Sequence, residues 1–541
     1  MFIAFILRNS FVVSTENPRT PTLVIRSGVL SILYQYYYIL MATQNKKNRF
    51  NNTKCDNAMT FQDCELAILR HAVDENEEAV GEKIANSEDV KAIIKILETF
   101  LVRKKCICYG GTAINNILPK YAQFYNRDIE IPDYDFFSNR ALDDARELAD
   151  IYYAAGYKEV EAKAGMHHGT FKVFVNFIPV ADITYLEDEI FNALQKEVII
   201  RAGIRYAPPN YLRMSMYLEL SRPQGDVSRW EKVFKRLTLL NKHYPLKPDV
   251  ECNTIDFQRE MDVKSSNNEH LYFLTRDSLI EQGVIFFGGY GSALYSEYIN
   301  NKTRKYIRNV PDFDVLSEDP ETTALILTER LTDAGFKNIK TIHHPAIGEL
   351  IPERMEVLVG KDTISFIFKP IACHSYNTIR IGDKEINVAT IDTILSFYLA
   401  FIYTDKPYFN KDRILCMAQF LFEVEENNRL RQTGLLKRFT MKCYGKQETL
   451  ETIRALKTEM YKKLADKRGT REYDMWFLKY SPALRKENEE IKLESSVENP
   501  PEKQNKTQKK RGRKPKSNAK SRSRSRSRAK STTIHFGKLF S

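Results

Sequence analysis

Apolar residues recur at helical spacing early in the chain, first at Leu66, Leu69 and Val73, then at Val90, Ile93, Ile94, Leu97 and Leu101. This pattern predicts helices over 61–103, with Asn86 or Ser87 capping the second. The period then shortens. Cys106–Tyr109 reads as a strand ending in Gly110-Gly111, and Thr112–Leu118 as the start of a helix. Ile129–Phe137 reads as a strand and Ala141–Ala155 as a helix closed by Gly156. Phe171–Phe177 and Val180–Tyr185 read as two more strands. Residues 187–245 read as mostly helical, with Trp230, Val233, Phe234 and Leu237 on one face. Residues 391–470 also read as helical, through Leu395, Leu399 and Ile402 and then Met417, Phe420, Leu421 and Val424. The expected class is α+β.

The pattern occurs twice. F-F-G-G-Y-G-S-A-L at Phe286–Leu294 echoes C-Y-G-G-T-A-I-N-N at Cys108–Asn116, and V-P-D-F-D-V-L-S at Val310–Ser317 echoes I-P-D-Y-D-F-F-S at Ile131–Ser138. A-G-F-K at Ala334–Lys337 echoes A-G-Y-K at Ala155–Lys158. The offsets are 178 or 179 residues, and a histidine pair recurs as His167-His168 and His343-His344. Ordered matches at near-constant offset predict two copies of one domain. The expected division is a flexible extension 1–58, a helical region 59–103, copy one with a helical extension 104–275, copy two with C-terminal helices 276–485, and a disordered tail 486–541.

Charge sharpens this division. The chain of 541 residues carries a formal net charge of +12. Residues 503–530 hold 14 Lys and Arg, Lys538 adds another, and no acid follows Glu502, so residues 1–502 sum to about −3. The basic field is therefore a tail, R-G-R-K-P-K followed by S-R-S-R-S-R-S-R, whose composition cannot build a core. It reads as a solvated tail or as a tether for nucleic-acid phosphates. The short R-G-R-K-P run is similar to an AT-hook. The eight cysteines form no C-x-x-C pair and, with the histidines, no zinc-like spacing, so reduced thiols are expected. Residues 1–40 carry two apolar runs too short to span a bilayer and no signal-cleavage pattern. Met41 opens a polar segment and reads as the working start, with a disordered arm as the other reading.

Asp133 and Asp135 stand two apart, so on a strand both carboxylates share a face. Two like charges in one place invite a divalent cation, and Mg²⁺ favours carboxylates, water and phosphate oxygens. The pair alone also suits a solvated turn. Upstream, Gly110 and Gly111 allow the backbone to approach a phosphate at a helix N-terminus, and Thr112 offers a hydroxyl. Neither the P-loop nor the Rossmann glycine pattern is present. A third acid, Asp182 in F-I-P-V-A-D-I-T-Y, follows 47 residues after Asp135. Three carboxylates suit two metal ions, Mg²⁺ or Mn²⁺, one activating a hydroxyl and the other holding a triphosphate.

A Gly-Gly turn, an Asp-x-Asp strand and a distal Asp resemble the polymerase β-like nucleotidyltransferase superfamily. G-G-T-A-I-N-N-I-L-P with I-P-D-Y-D-F-F-S is similar to the poly(A) polymerase catalytic subunits of giant amoebal viruses and, more distantly, of poxviruses. Over residues 60–485 the resemblance implies two tandem nucleotidyltransferase domains, the second degenerate, with accessory helices. It implies addition of AMP from ATP to mRNA 3′ ends, with Asp133, Asp135 and Asp182 as catalytic metal ligands and Gly110, Gly111 and Thr112 at the nucleotide. It further implies RNA and ATP as partners, a homodimer or a small processivity or cap-modifying subunit, no membrane, and a place in the host cytoplasm at the viral factory or in the virion.

In copy two Asp312 and Asp314 are kept, and F-K-P-I-A-C-H-S-Y at Phe368–Tyr376 reads as the counterpart of the Asp182 segment. That alignment puts Cys373, a poor Mg²⁺ ligand, in place of Asp182, with Glu356 or Asp362 as other candidates for a third acid. Lys158, Lys163, Lys172, Arg201, Arg205 and Arg213 are candidates for phosphate contacts or ordinary surface charges. The histidine pairs have no role this chemistry requires. The carboxylates do not read a base, so a CCA-adding enzyme, an oligoadenylate synthase, a small-molecule adenylyltransferase and a non-enzymatic RNA-binding scaffold stay open from the residues alone.

Overall fold

The computed structural model describes residues 59–126, 131–252, 255, 257, 268–299, 312–428 and 430–485. The expectations for the N-terminal extension, Met41 and the basic tail lie outside these residues. The helix Phe61–Ala85 leaves Leu66, Leu69 and Val73 exposed, so the first apolar stripe is not a core face. The helix Glu88–Lys104 does what its spacing predicts: it starts after Ser87 and buries Val90, Ile93, Leu97, Phe100 and Leu101.

Fourteen strands form two matching sets. The first is β1 Ile107–Cys108, β2 Tyr134–Ser138, β3 Val160–Ala164, β4 Thr170–Val175, β5 Ile178–Tyr185, β6 Ile199–Arg201 and β7 Ile204–Tyr206. The second is β8 Ile285–Phe287, β9 Phe313–Leu316, β10 Ile339–His344, β11 Arg354–Val359, β12 Asp362–Phe368, β13 His374–Ile381 and β14 Lys384–Ala389. Their spatial orders are β3-β4-β5-β2-β1-β7-β6 and β10-β11-β12-β9-β8-β14-β13. Every neighbour relation is reproduced. β5 with β2 and β12 with β9 are parallel, as are β1 with β7 and β8 with β14, and the remaining pairs are antiparallel. The duplication read from three short motifs is thus a duplication of topology.

Two strands from late in the chain extend the sheets. β15 Cys443–Tyr444 pairs with β13, and β16 Lys479–Tyr480 pairs with β3. Each copy has a helix after its glycine turn, Gly110–Ile117 and Gly288–Tyr295. In copy one the helix Ala141–Ala154 packs on one face of β3–β5. Along β4 buried Phe171, Val173 and Val175 alternate with half-buried Thr170, Lys172 and Phe174, which marks a strand with one face open. The copies meet through the helices Pro209–Leu220 and Ile391–Phe401, and the Ser375 amide donates to the Ser221 carbonyl at 2.8 Å.

Some expectations change. The stretch 187–245 is interrupted by the β6–β7 hairpin, whose turn residues Ala202 and Gly203 both have positive φ, a two-residue turn suited to strand twist. The strand expected over Ile129–Phe137 begins only at Tyr134, and 127–130 lie outside the described residues. Residues 428–449 are largely non-helical and contain β15. His343 and His344 lie within β10, whereas His167 and His168 sit in the turn after β3, so the two pairs are not equivalent positions. The cysteines are not all reduced: Cys252–Cys416 and Cys373–Cys443 are disulfides, while Cys106 and Cys108 are free and buried.

Candidate active site

The site forms where β2 and β5 run side by side. Parallel pairing puts Asp135 directly beside Asp182, so both carboxylates project from the same sheet face. Asp133 lies two residues before Asp135, on the extended approach to β2. Its side chain is open to solvent. Removal from bulk water raises its pKa, Asp182 raises it further, and Lys172 and Lys232 oppose the rise. Asp135, half-buried, is pushed well above the ordinary carboxylate range by desolvation and then by Asp133 and Asp182, against Lys172 and Arg229.

The glycine turn is fitted to this cluster. Gly110 has φ +72°, and a Cβ there would lie 2.8 Å from Asp135 Oδ2. No other residue satisfies both that backbone angle and that approach without displacement. The Tyr109 amide donates to the Asp135 carbonyl at 2.9 Å, the Tyr109 ring stacks on Phe137 at 3.9 Å, and its hydroxyl meets Thr184 Oγ1 at 2.9 Å. A Cβ on Gly111 would come within 2.6 Å of the Tyr125 hydroxyl. Thr112 does not offer its proton to a phosphate. Its hydroxyl donates to the Asp133 carbonyl at 2.6 Å, and a threonine has one O–H, so its role here is to fix the backbone of the first aspartate.

Lys172 lies opposite Asp182 across β4 and β5 and is ion-paired with it. Burial opposes its charge, but Asp182, Asp133 and Asp135 outweigh that and raise its pKa. Positive charge is therefore already drawn to the three acids. A second set of cations comes from the helix Trp230–His243 and the residue before it: Arg229 and Lys232 act on the acids, and Arg236 reaches Gly111. The Arg236 guanidinium bonds the Tyr125 hydroxyl at 2.5 Å and lies over the Phe124 and Tyr125 rings. Sequence reading missed these three because nothing in 187–245 marks which helical face meets a strand about a hundred residues earlier. Of the expected cations, Lys172 is at the acids. Arg213 is buried and bonded to Asn210, Asn241 and the Tyr244 carbonyl, so it holds two helices together. Lys158 and Arg201 are exposed, and nothing in the structure links them to the acids.

Residues 95–226, which include Gly110 and all three aspartates, match the family model described as poly(A) polymerase catalytic subunit. A protein designated poly(A) polymerase catalytic subunit in African swine fever virus is 33% identical over 177 residues, 32% of this chain and 37% of that protein. Its counterpart in Acanthamoeba polyphaga mimivirus is 30% identical over 191 residues, 34% of this chain and 31% of that protein. The chain is related to the viral poly(A) polymerase catalytic subunits. The matches span about a third of the curated relatives' length. The crystal structure of the Megavirus polyadenylate synthase superposes with a TM-score of 0.67 over 83% of this chain and 92% of that one, at 17% identity, and so shares its fold.

The same register locates the third position of copy two. Asp314 pairs with Phe366 on β12, as Asp135 pairs with Asp182 on β5. Phe366, not Cys373, therefore takes the place of Asp182, and Cys373 is bonded to Cys443. Glu356 pairs with Phe366 and so takes the place of Lys172, where it binds His344 Nε2 at 2.7 Å and the Thr363 hydroxyl at 2.5 Å. Asp362, four residues before Phe366, is about 13 Å away along the strand. Gly288 repeats Gly110, with φ +60° and Asp314 too close for a Cβ. The space over Asp312 and Asp314 is lined by Phe401, Phe409, Arg413, Ile414 and Met417, the last three from the helix Lys411–Asn427.

Among the described residues no three His, Cys, Asp or Glu side chains are already gathered as a metal cage. The donor chemistry still fits a divalent ion: hard oxygens at Asp133, Asp135 and Asp182, two of them with pKa raised by desolvation and then by neighbouring carboxylates. Among the described residues no helix is long and apolar enough to cross a membrane.

Proposed function

We propose that this chain is a template-independent polynucleotide adenylyltransferase that transfers AMP from ATP to the 3′ end of mRNA and releases pyrophosphate. The observation that carries the reading is the lateral pairing of Asp135 with Asp182, with Asp133 two residues away and the Gly110 turn pressed against Asp135. The matched family segment contains all of these residues.

In this reading Asp133, Asp135 and Asp182 hold divalent ions, Mg²⁺ or Mn²⁺, which lower the pKa of the primer hydroxyl and neutralise the triphosphate. The chain's own groups do the rest. Gly110 and Gly111 let the helix N-terminus approach the nucleotide phosphates. Arg229, Lys232 and Arg236 draw the triphosphate toward the acids. Lys172 holds the Asp182 carboxylate by an ion pair until substrate competes for it. The attacking 3′-hydroxyl gives its proton to solvent water, its oxygen bonds the α-phosphorus, and the bond from that phosphorus to the bridging oxygen breaks so that pyrophosphate departs. Copy two, with Phe366 at the third position and a helix over its aspartates, is a degenerate nucleotidyltransferase domain acting as scaffold. The corresponding division is a helical region 59–103, a catalytic domain 104–275 and a degenerate domain 276–485.

The test is incorporation on an oligonucleotide primer with each of the four nucleotides, on RNA and on DNA. ATP-specific extension of RNA that Asp133→Ala abolishes is expected. Extension by another nucleotide, or none where a control polymerase works, overturns the assignment.

A further inference from the structure

The register of copy one sets up a line of charge that the reaction chemistry does not itself require. Asp135 pairs with Asp182, Asp182 with Lys172, Lys172 with Lys163, and Lys163 with Lys479. Laterally paired residues share a face, so one row crosses five strands, from β2 through β5, β4 and β3 to β16. Its sign changes once, at the Lys172–Asp182 ion pair. The row lies on the face opposite the helix Ala141–Ala154, where β4 alternates half-buried with buried residues. With strands about 4.8 Å apart, Lys479 stands about 14 Å from Asp182, a span of two or three nucleotides of single strand.

The geometry points to this lysine row as the track for the sugar–phosphate backbone of the RNA primer, leading its 3′ end to Asp182. This rests on the polymerase reading of the same acids. Three observations favour primer over nucleotide. The glycine turn leaves β1, on the far side of β2 from the lysines, and Arg229 and Lys232 already act on the acids, with Arg236 beside Gly111, none of them belonging to the row. The row reaches farther than a triphosphate needs. And copy two, which lacks the third acid, also lacks the row: Phe366, Glu356 and Ile342 take the places of Asp182, Lys172 and Lys163. The third acid and the lysines are absent together, as groups serving one substrate would be. Lys163 now pairs with Glu161 and lies 5.0 Å from the Phe174 ring centroid, so backbone phosphates would exchange with Glu161 for it while Phe174 offers a ring beside the track.

The full-length chain is compared with Lys163→Gln, Lys479→Gln and the double variant, with Lys163→Arg/Lys479→Arg as the folding and charge control. Two readouts are taken: fluorescence anisotropy of an oligo(A) RNA against salt, and steady-state extension. Expected for the double variant are a five- to twentyfold rise in primer KM and Kd, a salt slope shallower by about 1.4, kcat and ATP KM within twofold of the parent, and recovery in the arginine control. An unchanged primer Kd and salt slope overturns the proposal. A matching rise in ATP KM overturns it in favour of the triphosphate. If RNA binding responds as expected but no nucleotide is incorporated, the polymerase reading fails and the track stands as an RNA site.

Discussion

Asp182 and Phe366 occupy the same position in the two sheets, each beside the second aspartate of its copy. One is half-buried at an open cluster, and the other is fully buried among Phe368, Tyr408 and Arg354. Removing Asp133, Asp135 or Asp182 as alanine is expected to lower incorporation by about a thousandfold or more, the scale of losing a group that acts only in the transition state. Asp314→Ala leaves the rate within twofold. Phe366→Asp gives no second activity and lowers stability by roughly 3–5 kcal/mol, because it removes a fully buried ring and sets a second carboxylate beside Asp314. Incorporation assays and denaturant unfolding check these outcomes.

Gly110→Ala meets two obstacles at once, a positive φ and Asp135 Oδ2 within 2.8 Å of the new Cβ. A destabilisation of about 1–3 kcal/mol is expected, together with a drop in kcat larger than any change in ATP KM, since the displaced group is the carboxylate. Gly156→Ala, with φ +103° and nothing near its Cβ, shares the strain but not the collision, and kcat should be kept.

The crowded acids give a pH signature. Asp135 takes up its proton well above the usual aspartate value and Asp133 above it, both through desolvation first, so activity falls with decreasing pH earlier than an isolated aspartate predicts. Lys172→Met removes an opposing cation and moves that acid limb to higher pH. For stability the sign reverses. The folded state binds these protons more tightly than the unfolded state does, so their ionisation costs stability as pH rises through the folded values. Asp135→Asn should therefore raise Tm at neutral pH while abolishing activity. Mg²⁺ should raise Tm of the parent more than that of the variant. Thermal scans with and without the ion measure both.

The disulfides Cys252–Cys416 and Cys373–Cys443 close separations of 164 and 70 residues. Loops of this length stabilise by about 4 to 5 kcal/mol each in the chain-entropy account. Reductant is expected to lower Tm. A Cys252→Ser/Cys373→Ser variant should start lower and respond little, as scans with and without dithiothreitol will show.

The helix wall of the site has its own prediction. Lys232→Ala should raise ATP KM about tenfold with primer KM unchanged, the reverse of the lysine-row variants.

What could be read from the sequence was local and repeated. The glycine turns are legible because only glycine meets their backbone angle, and Asp133 and Asp135 because alternation fixes their face. The duplication is legible because both kinds of signal recur in order. The place of Phe366 was not, since a motif match, F-I-P-V-A-D against F-K-P-I-A-C, pointed seven residues too far along. Strand register is set by hydrogen bonds between segments, and one displaced pairing changes every assignment along the strand. Lys172 could be proposed only as one lysine among several, because its meaning lies in what stands opposite it. The same holds for Arg229, Lys232 and Arg236, and for cysteines brought together from distant segments.

The segment 443–480 supplies β15 to one sheet and, through β16, the outermost strand of the other. A ribosome therefore releases copy one long before its sheet can be finished. Until residue 480 emerges, the edge of β3 offers unpaired backbone groups to whatever strand is near. The nascent chain must carry that open edge through the synthesis of the whole second copy, and a message cut short before codon 479 would yield a protein with Asp133, Asp135 and Asp182 and an unsealed sheet.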